Sequence, residues 1–407
     1  MKRFGILLLA LCITGAASAQ TTLKIATVTP EGSQWMKDMR ASAVEIKEKT
    51  EGRVIIKYYG GGSMGTDSQV LKRISIGALH GGVFTPSALM EKYGDIGLYG
   101  LPMVFENDEE ANFVRSRLDS KIAAGLEEAG FVSFGFVATG FALIMSNEPV
   151  GELDDMKGKR VWVPEGDGIS KATMEALSVT PIPLPLTDVY TALQTGALDI
   201  IAMSSVGAVI LQYHTKVKYV TDVPLVYTFG FMAVSKKAFD KISTDDQLIV
   251  REILSELYAR YDVLNVEDDR EAKQALFNAG LERVVPDEEE LDKIRAVLQV
   301  SNLDLAKQGV VSLDLYEEML QYVEQRRSEV ESIAAAEKIQ EDELREAGET
   351  IAEAEENLEE EAEESCETIA DAEAILDDEV ERACEPAETT ASVDTGEIES
   401  SETSDEQ

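Results

Sequence analysis

The sequence predicts an α/β protein of two hinged lobes followed by a separate acidic tail. Three observations carry this. Strand and helix patterns alternate over residues 23–76, a second such unit begins near Met156, and composition shifts abruptly in the last fifth of the chain. Alternation of this kind marks a sheet with crossover helices. The 407 residues, 44% of them hydrophobic, are ample for two cores.

The elements follow in order. Residues 23–27 are short, apolar and alternating, as in a strand. Over 33–50, Met36, Met39, Ala43 and Ile46 recur at helical spacing, and Gly52 stops the run. Residues 54–59 read as a second strand and 68–76 as a helix closed by Gly77. In LPMVFENDEEANFV (101–114) a loop enters a helix capped by Asn107 or Asp108, and Glu109 and Glu110 favour its positive start. Segments 131–136 and 142–145 read as strands of a crossing region. The second unit has a strand at 160–163 ended by Pro164, a helix at 169–177, and a short strand and helix within 180–199. Thr187 is the expected N-cap of that last helix and Gly196 its stop. Two sheets with several crossings are expected, with a ligand site between the lobes. Residues 244–327 read as largely helical, with a break near 284–288.

The first nineteen residues have a basic start, a short apolar run and a small-x-small ending at Ala17, Ser18 and Ala19. This is the pattern of a secretory signal peptide cut before Gln20, which places the mature protein in the periplasm. The apolar run is too short to span a bilayer. A net charge of −40 argues against nucleic acid or an anionic membrane as partner. The mature cysteines, Cys366 and Cys384, both lie in the tail, so the body has no thiol nucleophile and no cysteine metal cluster. His80 and His214 are far apart and read as packing or surface residues. Glycines 60–62 lack a following Lys-Ser/Thr and read as a turn. No nucleophile–base pair, metal cluster or cofactor motif is visible, which argues against an enzyme.

Several phrases occur in an order and spacing that resemble one family. They are EGRVIIKYYGGGSMGTD (51–67), LPMVFENDEEA (101–111), DDMKGKRVWVP (154–164), PLPLTDVYTALQTGALD (183–199), KYVTDVP (218–224) and AVSKKAFDKIS (233–243). Together they cover residues 23–327 and resemble the solute-binding receptors of TRAP (tripartite ATP-independent periplasmic) transporters, in the DctP-like branch. The resemblance implies a periplasmic-binding-protein-like fold with a hinge and a long connecting helix. Residues 20–140 would be mainly lobe 1, 141–243 mainly lobe 2 with the crossing strands, and 244–330 a helical region spanning both. It further implies a small ligand closed between the lobes and handed to membrane permease subunits, with no cofactor.

The departures from that family concern its ligand. The usual ligand is an organic acid held by an Arg in a K-x-R-V-P phrase, and the matching residue here is Trp162. A second family Arg, in G-F-R, corresponds to Ala142 after Gly140 and Phe141, and a family Asn corresponds to Met203. A buried carboxylate needs a charged, preferably bidentate partner. Trp, Ala and Met cannot supply one. The sequence therefore predicts a largely apolar ligand with at most one polar end, such as an isoprenoid or terpenoid alcohol. Trp162 would offer it an apolar face and one N–H donor. Tyr190, Thr139, Ser204, Ser205, Phe141 and Phe229 are further candidate wall residues. The alternatives are an organic acid held by a relocated guanidinium, such as Arg160 or Arg73, and a receptor that reports its ligand to a sensor. Arg160 lies two positions from Trp162 and would share its face of a strand.

From Ala335 onward there are 29 acidic and 3 basic residues. Residues 331–384 hold three 18-residue repeats, 331–348, 349–366 and 367–384. Eighteen residues make five helical turns, so Ile333, Ile351 and Ile369 fall on one straight stripe with Leu344, Leu358 and Leu376. Self-association through this stripe, with interchain disulfides, is one expectation. A solvated helix or disordered tail, kept apart by dense Glu, is the other. Residues 385–407 read as disordered.

Overall fold

Strands and helices alternate through the first eighty residues: β1 (Thr21–Ala26), α1 (Gln34–Lys49), β2 (Val54–Tyr59), α2 (Asp67–Ser75) and β3 (Gly81–Phe84). Thus begins the computed structural model, which describes residues 20–373. The segment 1–19 expected to be a signal peptide, Cys384 and the 385–407 segment expected to be disordered lie outside the described residues. Ser33 caps α1 by accepting from the Met36 N–H, and Thr66 and Gln69 form a reciprocal capping box on α2. Then follow α3 (Asp108–Glu128), which Asn107 caps by accepting from the Glu110 N–H, and β4 (Phe131–Ser146). The second unit contains β5 (Val161–Pro164), α4 (Gly168–Ala176), β6 (Pro181–Leu184), α5 (Val189–Thr195), β7 (Ile200–Met203) and α6 (Ser205–Ile210). It leads into β8 (Tyr219–Ser235), α7 (Lys236–Phe239), α8 (Thr244–Asn278), β9 (Glu282–Val284), α9 (Glu288–Lys307) and α10 (Leu313–Glu373).

All nine described strands belong to one sheet, in the order β2-β1-β3-β8-β4-β7-β5-β6, with β9 added beside β8. The expectation of two sheets is corrected here. Segments 131–136 and 142–145 are one strand of 16 residues, and β8 has 17, each long enough to run through both halves. Their antiparallel ladder joins a parallel half (β2, β1, β3) to another (β7, β5, β6). The ladder shifts register between Ala138 and Gly140, where Gly140 takes φ +82°.

One face of the first half is covered by α1 and α8, with Met36, Met39, Val250 and Leu254 buried against Leu23 and Ile25. The other is covered by α3, whose Ala111, Val114, Leu118 and Ile122 recur at helical spacing in a second buried cluster.

Two further expectations change. Thr187 does not cap α5: residues Leu186–Asp188 form a tight turn, Asp188 is the cap, and Thr187 Oγ1 instead donates to Asp188 Oδ1 at 3.2 Å. Gly196 does end the helix, at φ +69°. The break expected near 284–288 begins earlier, after Asn278, and runs to the start of α9 at Glu288 with β9 inside it, and a second break sits at Gly309 with φ +77°.

The described chain divides into two units between Glu329 and Val330. In the second, the α10 residues Ile333, Leu344, Ile351 and Leu358 are exposed. Among the described residues, no helix is long and apolar enough to cross a membrane.

Candidate functional site

The two halves of the sheet enclose a cavity of about 540 Å³, within the range of small-ligand sites. Alternation along three strands builds its floor. Ala142 and Ile144 of β4, Ile200 and Ala202 of β7, and Val161 and Val163 of β5 all line it. Each pair is two residues apart, and Ile144 faces Ala202 while Val161 faces Ile200 in the ladder, so the six side chains share one face. The small Ala142 and Ala202 leave room there. Helix α4 supplies the covering wall with Thr173 and Met174, joined by Met156. The other half contributes α2 and the turns around Thr85–Lys92.

Of the residues expected from sequence, Trp162, Ala142, Met203, Ser204, Phe229 and Thr139 line this cavity. Trp162 is 6% exposed, and its Nε1–H donates to the Leu184 carbonyl at 3.0 Å. The indole donor is therefore held by the neighbouring strand and not offered to a ligand. Met203 stands opposite Leu143 at the end of β7. Ser204 caps α6 by accepting from the Gly207 N–H, and Phe229 is fixed edge-on to Phe136 with centroids 5.3 Å apart.

Phe141, Tyr190, Arg160, Ser205 and Arg73 lie outside the lining. Strand alternation turns Phe141 away from the face of Ala142, and its ring meets Tyr227 edge-on at 5.3 Å. The Tyr190 ring lies under the Lys216 ammonium, 5.0 Å from its centroid. Arg160 precedes β5 and is clamped bidentately by Asp199, with Nε to Oδ2 at 2.8 Å and its backbone N–H to the same oxygen at 2.9 Å. It therefore does not share the cavity with Trp162. Arg73 turns to the Met64 sulfur at 3.4 Å. Both histidines serve the backbone: His80 Nδ1 accepts from the Lys24 N–H and His214 Nδ1 lies 3.0 Å from the Ala208 carbonyl.

Among the described residues, no arginine lines the cavity; its cations are Lys72 and Lys92, against the carboxylates Asp67, Glu91, Glu165 and Asp167. Asp167 caps α4 through the Ser170 N–H and hydroxyl, and burial pushes its carboxyl up. Burial, and then the neighbouring Glu165, push Asp67 up to about 6. The Ser68 hydroxyl on α2 donates to Glu165 beyond β5 at 3.4 Å, so the two halves touch at this acidic point. Arg115 is the buried guanidinium nearby. It is held by Asp262 at 2.8 Å and donates to the hydroxyl of Tyr227 at 3.0 Å, behind the cavity wall that Tyr227 forms. Thr173, Met174 and Met156 were missed from sequence. A helix over a sheet reads as ordinary core, and only the small side chains of Ala142 on β4 and Ala202 on β7 signal the space beneath it.

The sequence profile of bacterial extracellular solute-binding protein family 7 matches residues 25–308. An uncharacterised protein of Haemophilus influenzae is 26% identical over 306 residues, spanning 71% of this chain and 88% of its own. The C4-dicarboxylate-binding periplasmic protein DctP of Rhodobacter capsulatus is 24% identical over 63% of this chain and 76% of its own. The fold matches a TRAP periplasmic solute-binding protein of Haemophilus influenzae with bound L-gulonate. The TM-score is 0.68 at 21% identity, covering 75% of this chain and 99% of that one. It also matches one of Shewanella oneidensis with bound succinate, with a TM-score of 0.69 at 17% identity, covering 75% and 100%. The family profile, running through both halves of the sheet and the cavity between them, fixes the affiliation: this chain belongs to bacterial extracellular solute-binding protein family 7, the DctP family of TRAP receptors.

Proposed function

We propose that this receptor captures a neutral, largely apolar ligand of the isoprenoid or terpenoid alcohol class in the periplasm and delivers it to the permease subunits of a TRAP transporter. The observation that carries the ligand class is the lining itself. Trp162, Ala142 and Met203 stand where the resemblance puts the charged and polar grips, and among the described residues the cavity holds four carboxylates and no arginine. A ligand carboxylate would lose hydration worth several kcal/mol and meet a net negative wall. A body of roughly ten carbons gains about 0.8 kcal/mol per buried CH₂ with no ion pair. The related structures hold gulonate and succinate, so acids are the comparison that matters.

The test is mass spectrometry of the ligand that copurifies, followed by a thermal-shift screen. Terpenoid alcohols should raise the melting temperature, while succinate and hexonates should not. Stabilisation by the acids alone would overturn the ligand class and assign Lys72 and Lys92 to an anion.

A further inference from the structure

Thr173 is 3% exposed, lines the cavity from α4, and its hydroxyl is buried without a hydrogen-bond partner. A threonine inside a helix usually returns its hydroxyl to a carbonyl one turn back, and this one does not. Met174, Met156, Val161 and Val163, which line the same part of the cavity, carry no strong hydrogen-bonding group in their side chains.

The other hydroxyls of the cavity wall are engaged. Thr228 donates to the Gly140 carbonyl at 2.6 Å, so the proton between Thr228 and Thr139 comes from Thr139. Ser170 donates to Asp167, Ser68 to Glu165, Thr187 to Asp188 and Ser75 to the Lys72 carbonyl. Thr85 and Ser87 bond each other, while Thr66 and Ser204 act as caps. Tyr227 accepts from Arg115. Among the described residues, Thr173 is the lining hydroxyl left over. An unmade bond on a buried hydroxyl is the costly case, and it is removed when a partner arrives.

We infer that the Thr173 hydroxyl is the polar reader of the site: it takes a neutral hydroxyl or carbonyl of the ligand beneath α4, while the hydrocarbon body lies along the Ala142, Ile144 and Ala202 face. This rests on the apolar-ligand reading. It moves the polar anchor from the positions of Trp162 and Ala142 to a helix on the opposite wall.

Thr173→Val keeps the shape and removes the hydroxyl. The probes are farnesol and farnesene, which share a skeleton and differ in the polar group. Dissociation constants and the melting temperature of the ligand-free protein are read for the full chain. In Thr173→Val, farnesol should bind about five- to tenfold more weakly, the scale of one neutral hydrogen bond, and farnesene unchanged. The ligand-free melting temperature should hold or rise, because an unsatisfied group has gone. Thr173→Ser should restore farnesol binding. Equal farnesol affinity in the parent and Thr173→Val overturns the assignment while leaving the apolar class standing. Binding of neither probe by the parent, with binding of succinate, overturns both.

Discussion

The carboxylate of Asp269 fills the space that a side chain on Gly140 would need: a Cβ built there lies 2.3 Å from its Cγ and Oδ2. Gly140 sits at φ +82° in the register shift where β4 passes from one half of the sheet to the other. Asp269 belongs to α8 and also accepts from the Val206 N–H at the start of α6, at 3.2 Å. One turn and more upstream, Asn265 donates to the Ala138 carbonyl at 2.6 Å, and Asp262 accepts from the Ala138 N–H at 2.7 Å. Residues 262, 265 and 269 fall on one helical face. A single stripe of α8 thus holds the crossing strand at its irregular point.

Gly140→Ala therefore meets two penalties, a left-handed backbone and a displaced carboxylate. Together they should cost about 2–4 kcal/mol of stability. In urea melts of the parent, both single variants and the pair, Asp269→Ala should relieve part of the Gly140→Ala cost. Strict additivity would show that the two residues do not compete for the same space.

Asp67 gives the cleft a pH dependence whose sign is fixed. Its carboxyl is raised to about 6 from an ordinary value of 3.8, first by burial and then by Glu165. Between these values the folded protein holds a proton that the unfolded chain has released. Stability therefore falls as pH rises from about 4 to about 6, and the loss persists above. Asp67→Asn should flatten that part of the profile and raise stability at pH 7 by about 1 kcal/mol, a figure reduced for solvent screening at a partly exposed site. Guanidinium melts across the pH range read it directly. An unchanged slope would place the titration elsewhere, for instance at Asp269, which is also raised to about 6 by burial.

Trp162 supplies the optical probe and the specificity test. The other tryptophan, Trp35, is stacked on Tyr261 with centroids 4.0 Å apart and lies outside the cavity lining. In a Trp35→Phe background, emission from Trp162 should shift on adding a terpenoid alcohol and stay fixed with succinate. Trp162→Phe should lower stability by about 1 kcal/mol, because the indole hydrogen bond to the Leu184 carbonyl is lost while that carbonyl keeps the Glu165 N–H. Trp162→Arg alone should not create acid binding. It inserts a charge among Leu143, Leu193 and Val189 with no partner, at about 3–5 kcal/mol. Succinate binding by that single variant would show instead that the guanidinium missing at this one position is enough to exclude acids from the parent.

Much of the frame was legible because local signals agreed with it. Asn107, one of the two caps expected there, does cap α3, and strand and helix spacing placed most elements within a residue or two. The continuity of the sheet was not legible. Gly140 looks like a strand breaker, and only the pairing of β4 with β8 carries the strand past it. The same limit applies at the site. That Trp162 and Ala142 are not arginines is a local fact of the sequence, and both line the cavity. The fates of Arg160, Phe141 and Tyr190 depended on neighbours far along the chain or on which face of a strand turns inward. Thr173 carried no local signal at all.

The acidic tail sets apolar burial against charge. On α10, Ile333, Leu344, Ile351 and Leu358 are 54–66% exposed on the straight stripe, with glutamates close on either side. Cys366 falls within this helix. We propose that repulsion wins at low ionic strength and that the chain is then monomeric. Salt shortens the Debye length from about 10 Å at 0.1 M to about 3 Å at 1 M. Burying the stripe against a second copy should become favourable as this screening grows. Sedimentation velocity should give one monomeric species at about 0.05 M salt and a dimer at about 1 M. Ile351→Glu with Leu358→Glu should remove the dimer at high salt. A dimer at low salt that survives those substitutions would locate self-association outside the stripe, and a non-reducing gel would then show whether a disulfide carries it.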